Sequence, residues 1–366
     1  MEHSGADVDN GNSGGGFRGR GAGSNTASRF LAWERVPDVD PGDEAVTGAA
    51  RVPTTLFDDR AKTVISWNAS PDIPFDRSVN PAKGCEHGCV YCYARPTHAY
   101  LGLSPGLDFE TKIFVKRDAA SLLRQELMRP GYRPGVLALG ANTDPYQPVE
   151  RELGITRAIL EVLDAFGHPV SVTTKGALVE RDIDILARMA GRGLAQVNIS
   201  LATLEPELAR RMEPRAAAPH RRVETLRRLA AAGIPTAVLV APVIPALTDH
   251  DIEHVLETAA AAGASQAYYV LLRLPLEVRD LFVDWLERHY PDRAKHVMSL
   301  VQQARGGRDN DPRFGSRMRG TGDYADLIRQ RFRLACRRNG LNARTLELRT
   351  DLFGRPDSAT PQLALF

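Results

Sequence analysis

An α/β fold, a partial (β/α)6 TIM-like barrel, is the architecture this sequence predicts. Two observations carry the prediction. From about Asp76 onward, short apolar runs rich in Val, Ile and Leu alternate with amphipathic stretches, the rhythm of βα units whose parallel strands are buried on both faces. These units occupy about 200 residues where a closed eight-stranded barrel takes ~250, so six strands and an open side are expected.

Along the chain, residues 1–50 are dominated by Gly, Ser, Asn, Asp and Pro. They carry too little apolar surface to offset ordering entropy and are expected to be mostly disordered. Within them, Gly19 to Trp33 is an exception, where Phe30, Leu31 and Trp33 are candidates to dock on the folded part. Folding is expected from Arg51. A short first strand is placed at Ser78 to Asn80, followed by strands at Val136 to Gly140, Val170 to Lys175, Gln196 to Leu201, Pro235 to Ala241 and Ala267 to Arg273. Helices are expected between and after them at Glu150 to Phe166, Glu180 to Arg192, Pro219 to Ala232, Asp249 to Ala262 and Glu277 to His289, with Gly167, Gly233 and Gly263 as stops. The barrel with its lead-in is assigned to residues 51–290. A helical, Arg-rich extension is assigned to 291–366, covering the barrel's opening or its lower rim.

The formal net charge of +2 favours no class of partner. Arginines crowd the stretch from Arg305 to Arg349; they make either a phosphate-binding face or a solvated helix surface. No run approaches the roughly 20 apolar residues that span a bilayer, and the start lacks the apolar heart of a signal peptide, so a cytoplasmic protein without a membrane partner is expected.

Of four cysteines, three lie within eight positions, unlike the dispersed framework of a secreted disulfide protein. The fourth, Cys336, stands alone in an expected helix at Ala325 to Arg338 and reads as a buried thiol. The other three form Cys85-Glu-His-Gly-Cys89-Val-Tyr-Cys92, a C-x3-C-x2-C loop directly after the first strand. Three thiolates on a [4Fe-4S] cube leave one iron without a protein ligand, a place where a small molecule can bind. Gly84 and Gly88 permit tight wrapping of the backbone around it. The competing reading is a zinc knuckle completed by His87 or Cys336, in a nucleic-acid-binding protein whose metal is structural.

The loop resembles that of the radical S-adenosylmethionine superfamily, with an aromatic residue, Tyr91, directly before the third cysteine. The resemblance implies that Cys85, Cys89 and Cys92 ligate a [4Fe-4S] cluster whose open iron takes S-adenosylmethionine. An electron from an external donor then cleaves that molecule to methionine and a 5′-deoxyadenosyl radical, which abstracts hydrogen from a substrate. From about Arg51 to Phe353 the chain looks like the branch grouped with spore photoproduct lyase. The carrying residues are the cysteine loop with Tyr93-Ala-Arg-Pro-Thr-His98, Thr143-Asp-Pro-Tyr-Gln-Pro, Thr174-Lys175, Arg181-Asp182, Glu213-Pro-Arg215 and Arg313 to Gly320. That lyase uses a further cysteine to return hydrogen to its product. No counterpart is found here, so DNA or RNA is one candidate substrate and repair activity is not carried over.

In parallel barrels the working residues gather where strands finish. A site for S-adenosylmethionine needs a cation for its carboxylate, acceptors for its amine, partners for ribose hydroxyls and a flat slot for adenine. The strand ends offer Lys175 for the carboxylate or a ribose oxygen, Thr143 and Asp144 for the amine and Ser200 for a ribose hydroxyl, and Arg222, at the start of the helix after the fourth strand, is a second candidate for the carboxylate. Tyr91 and the turn around Val243 are the candidate walls for adenine. Asp144 before a proline also reads as a turn former, and Glu213 with Arg215 as a local ion-pair cluster near Arg222.

Overall fold

The computed structural model describes residues 19–30 and 52–356. In chain order its strands are β1 (Thr55–Asp58), β2 (Ile65–Trp67), β3 (Arg77–Val79), β4 (Ala82–Lys83), β5 (Lys112–Val115), β6 (Leu137–Leu139), β7 (Val170–Thr174), β8 (Ala195–Ser200), β9 (Thr236–Val243) and β10 (Gln266–Leu271). Strands β3, β6, β7, β8, β9 and β10 lie side by side in parallel in that order. This is the six-stranded partial barrel that the apolar rhythm predicts, with β2 added antiparallel on the edge beside β3. Val170, Val172, Val197, Ile199, Val238 and Val240 are essentially solvent-free, because one barrel face packs inward while helices cover the other.

The helices follow from their apolar stripes. Ile155–Ala165 buries Ile155, Ile159, Leu160 and Leu163 against the sheet and ends before Gly167, which has φ +58° and where a Cβ would lie 2.3 Å from the Leu352 carbonyl oxygen. The helix expected over 150–166 is in fact two, Glu150–Leu153 and Ile155–Ala165, because Gly154 between them takes φ +64°. The one expected from Glu180 starts as a 3-10 turn, Ala177–Asp182, before turning α at Ile183–Ala190.

A second sheet, ordered β1-β5-β4, is absent from the sequence reading. All four residues of β1 are exposed and β4 has only two residues, so neither shows the alternation that betrays a half-buried strand. It lies outside the barrel and carries the cysteine loop: Cys85 follows β4 directly.

After the barrel come helices Val278–His289, Pro291–Gln303 and Asp323–Arg338. Phe282, Trp285, Val297 and Val301 share one core with Val90 and Tyr91, so the first two of these helices pack beneath the cysteine loop, while Asp323–Arg338 buries Ile328 and Phe332 in the main core. Arg313–Met318 reaches both edges of the barrel. Leu271 at the β10 edge donates its N–H to the Met318 carbonyl at 2.9 Å. Near the other edge, Gly315 N and Arg317 Nε donate to Asp72 between β2 and β3 at 2.7 and 2.6 Å. The extension therefore spans the open side. Several of its arginines are paired, Arg313 with Asp311, Arg329 with Asp326 and Arg331 with Glu253, which favours the solvated-surface reading over a phosphate-binding face. Cys336 is buried near Phe332 in the main core, and burial pushes its thiol up to about 11.

Of the N-terminal stretch, residues 19–30 pack on the fold through Ala22 and Ser28, which are buried, whereas Phe30 is largely exposed. Leu31 and Trp33 lie outside the described residues. Among the described residues no helix is long and apolar enough to cross a membrane.

Candidate functional site

The cysteine loop is held from several sides. Cys85 N donates to Phe109 O at 2.9 Å and Val90 N to Met212 O at 3.0 Å, while Glu86 N bonds Gln147 Oε1 at 2.9 Å. Gly84 and Gly88 take φ of +84° and +66°; a Cβ on them would lie 2.9 Å from Ile113 and 2.7 Å from the Glu110 carboxylate, so the tight wrapping inferred from the sequence is real. All three thiols are free. Burial pushes the Cys85 thiol up and that of Cys89 up to about 12. Such thiols become thiolates at neutral pH only when a bound metal compensates the charge. Among the described residues no three His, Cys, Asp or Glu side chains close around a single metal ion, these cysteines included.

A clasp behind the loop was not anticipated. Arg95, fully buried, donates to the carbonyls of Cys89, Gly88, Pro105 and Gly106 at 2.8 to 3.2 Å and pairs with Glu110 at 2.5 Å. Glu110, equally buried, also accepts the N–H groups of Gly21 and Ala22 at 2.9 and 2.8 Å. A Cβ on Gly21 would fall 1.8 Å from the Gly88 carbonyl oxygen. The N-terminal stretch thus lies directly on the backbone of the cysteine loop. Arg95 stood inside the quoted motif, but nothing in the sequence marks Glu110 or Gly21 as its partners.

The rim candidates converge around the same loop, yet most are already engaged. Asp144 accepts from Tyr146 N, Thr174 Oγ1 and Lys175 N at 2.9, 2.6 and 2.7 Å and lies 3.2 Å from His87 Nδ1. Burial works against its charge, but His87 and these bonds outweigh it and hold the carboxyl well below the usual range. Thr143 Oγ1 donates to Ala82 O at 2.7 Å. Arg222 gives Nε to Ala217 O at 2.6 Å and one terminal nitrogen to Ser200 O at 3.0 Å, and the other pairs with Glu213. Tyr91 donates its hydroxyl to the same Glu213. Ser200 Oγ donates to Ala241 O at 3.2 Å, and Val243 is fully buried in the main core. Lys175 differs. Among the described residues its Nζ has no hydrogen bond or ion pair and stands 5.9 Å from the centre of the Tyr91 ring. Burial opposes its charge, but Cys89 and Glu213 outweigh it and its pKa is raised.

The profile of the radical SAM superfamily matches residues 79–259, the cysteine loop and the barrel from β3 to the helix after β9. The uncharacterized protein Rv2578c of Mycobacterium tuberculosis is 40% identical over 233 residues, covering 63% of this chain and 68% of that protein. This chain belongs to the radical SAM superfamily.

The radical SAM fold is also seen in solved structures. A spore photoproduct lyase mutant with bound AdoMet and dinucleoside spore photoproduct superposes with a TM-score of 0.56 at 16% identity, covering 78% of this chain and 80% of that one. A Methanocaldococcus jannaschii protein, MJ0683, is 26% identical over 215 residues, which are 58% of this chain and 76% of that protein. The protein is a radical SAM enzyme, with a [4Fe-4S] cluster and S-adenosylmethionine as the cofactors of its family. The loop's donor set fits them: three free thiols on a glycine-lined turn, with no fourth cysteine nearby because Cys336 belongs to another core. His87, the other candidate for a closed zinc site, faces Asp144.

Proposed function

We propose that Cys85, Cys89 and Cys92 hold the cluster and that the enzyme abstracts a hydrogen atom from a substrate bound over the barrel mouth. With its cofactors in place and an external electron donor, the site supplies a one-electron cleavage of S-adenosylmethionine to methionine and a 5′-deoxyadenosyl radical. The observation that carries this reading is the placement of three free thiols, those of Cys85 and Cys89 buried and that of Cys92 partly exposed, near the ammonium of Lys175, which is unpaired among the described residues, at the end of β7. Lys175 meets the carboxylate of S-adenosylmethionine in a charge-assisted contact, its Nζ making no direct ion pair with Glu213 or Asp144. Ser200 has acceptor capacity left for a ribose hydroxyl and Tyr91 offers a ring to adenine, whereas Val243 is spent in the main core, apart from the cluster that holds Tyr91. Asp144, Thr143 and Arg222 act one step back. Asp144 fixes the Lys175 backbone and His87, Thr143 ties its loop to β4, and Arg222 holds Glu213, which in turn holds Tyr91.

Nucleic acid is the proposed substrate class. What supports it is the half-exposed ring of Tyr93 next to Cys92 and the exposed ring of Phe314 on the spanning segment, with the guanidinium groups of Arg273 and Arg317 5.6 and 4.5 Å from their respective centroids. Stacking surfaces flanked by cations suit unpaired bases.

The test is anaerobic reconstitution with iron and sulfide, reduction by dithionite with S-adenosylmethionine, and quantitation of 5′-deoxyadenosine. Wild type yields product and Cys89→Ala yields none; a fully loaded wild type without product overturns the reading.

A further inference from the structure

Arg273 follows β10, the last barrel strand, and so stands at the rim on which the cysteine loop also sits. Its surroundings are unusual for a partly buried arginine. The Nε is buried and, among the described residues, has no hydrogen-bond partner. One terminal nitrogen reaches only the Met318 sulfur, at 3.6 Å, a weak acceptor. The face of the guanidinium lies toward the Tyr93 ring. The acid in the neighbourhood, Asp72, is spent on Gly315 and Arg317. Other cations stand close enough that burial first, and then Arg317, pull the Arg273 pKa down.

Arg305, also nearby, shows what a purely structural arginine looks like here: it is 2% exposed and donates to the carbonyls of Leu271, Leu272, Ser316 and Arg317 at 2.7 to 3.1 Å. Arg273 has no such set. A buried donor nitrogen without a partner is a cost, and folding alone gives no return for it at this position. An incoming anion does.

We propose that Arg273 is a specificity-determining residue that receives an oxyanion of the substrate, phosphate or carboxylate, beside the Tyr93 ring and under the segment Arg313–Met318. The inference rests on the reading of the barrel mouth as the substrate site. It requires that the substrate carry a negative oxygen group within reach of the face it offers to the cluster, and it excludes a substrate that is neutral there.

The test uses the full chain, reconstituted anaerobically and saturated with S-adenosylmethionine. Inorganic phosphate and acetate are titrated calorimetrically, in separate arms at constant ionic strength, into wild type, Arg273→Gln, Arg273→Lys and the remote surface control Arg192→Gln. Wild type and the control bind one of the two anions equally well, Arg273→Gln binds it at least tenfold more weakly, and Arg273→Lys recovers part of the loss. Preference for phosphate assigns a phosphoryl group and preference for acetate a carboxyl group. A wild type that binds neither anion, or an Arg273→Gln protein that binds as tightly as wild type, overturns the proposal. If wild type binds the anion through Arg273 but forms no 5′-deoxyadenosine, the radical reading fails and the anion site stands.

Discussion

The two ends of this barrel each hold a partly buried arginine, and they are built to opposite rules. At the lower end Arg77, the first residue of β3, bonds both carboxylate oxygens of Asp76, the Tyr132 hydroxyl and the Arg133 carbonyl and lies 4.6 Å from the centre of the Trp67 ring. His168 beside it is equally provided for, between Tyr132 and the Pro169 carbonyl. At the upper end Lys175 and Arg273 stand beside the cysteine loop with charges that, among the described residues, no acid pairs. Where every donor is spent the residue holds structure together; where donors are left over in a desolvated place, a ligand is the missing partner. The rule also sorts residues of the upper end, setting Arg95, Arg222 and Asp144 apart from Lys175 and Arg273.

The sharpest way to break this division is to remove a member of a saturated set. Glu110→Ala leaves Arg95 buried without its carboxylate and unpins Gly21 and Ala22. A loss of about 3–5 kcal/mol is expected for breaking such a pair, read as a large drop in the melting temperature of the apoprotein with less iron retained after reconstitution. A melting temperature unchanged from wild type would show that the clasp contributes nothing.

Next in size is an acid effect at the lower end. Burial lowers His168 from an ordinary 6.5 to about 4, so the folded state binds this proton more weakly than the unfolded state. Stability is therefore fully present above pH 6.5 and is lost as pH falls toward 4, by about 3 kcal/mol at most. Melting curves of the apoprotein should show this slope, and His168→Gln should flatten it; an equal slope in both would place the acid sensitivity elsewhere.

At the upper end Lys175→Met should leave folding and iron content intact while weakening S-adenosylmethionine binding by roughly ten- to a hundredfold, the worth of one charge-assisted hydrogen bond. Loss of iron instead would make Lys175 part of the cluster's support. The smallest effect belongs to the surface. Arg192 pairs with Asp164, which Arg188 also contacts, so Arg192→Gln should shift the melting temperature by no more than an exposed pair is worth, below about 1 kcal/mol.

What could be read in advance follows the same physics. The six barrel strands were legible because buried strands read as short apolar runs, nearly continuous in Thr236–Val243 and interrupted by hydroxyl residues in Val170–Thr174. The cysteine loop was legible because ligand spacing is a local property. The clasp was not: Glu110 meets Gly21 and Ala22 across nearly ninety residues, and no periodicity announces a pairing at that distance. Asp144 lies in the loop after β6 and Arg222 in the helix Pro219–Ala231, but residue type alone could not tell that their hydrogen bonds are spent on Lys175, Thr174, Glu213 and Ser200. The outer sheet of β1, β5 and β4 escaped because its first strand buries nothing.

The central claim, that the three thiols of the upper rim hold a cluster with one iron open to S-adenosylmethionine, is tested most directly by electron paramagnetic resonance of the reconstituted, dithionite-reduced protein. The account predicts a [4Fe-4S]+ signal that changes when S-adenosylmethionine is added to wild type and is absent from Cys89→Ala. A signal identical with and without S-adenosylmethionine, from a protein with its full complement of iron, would contradict it.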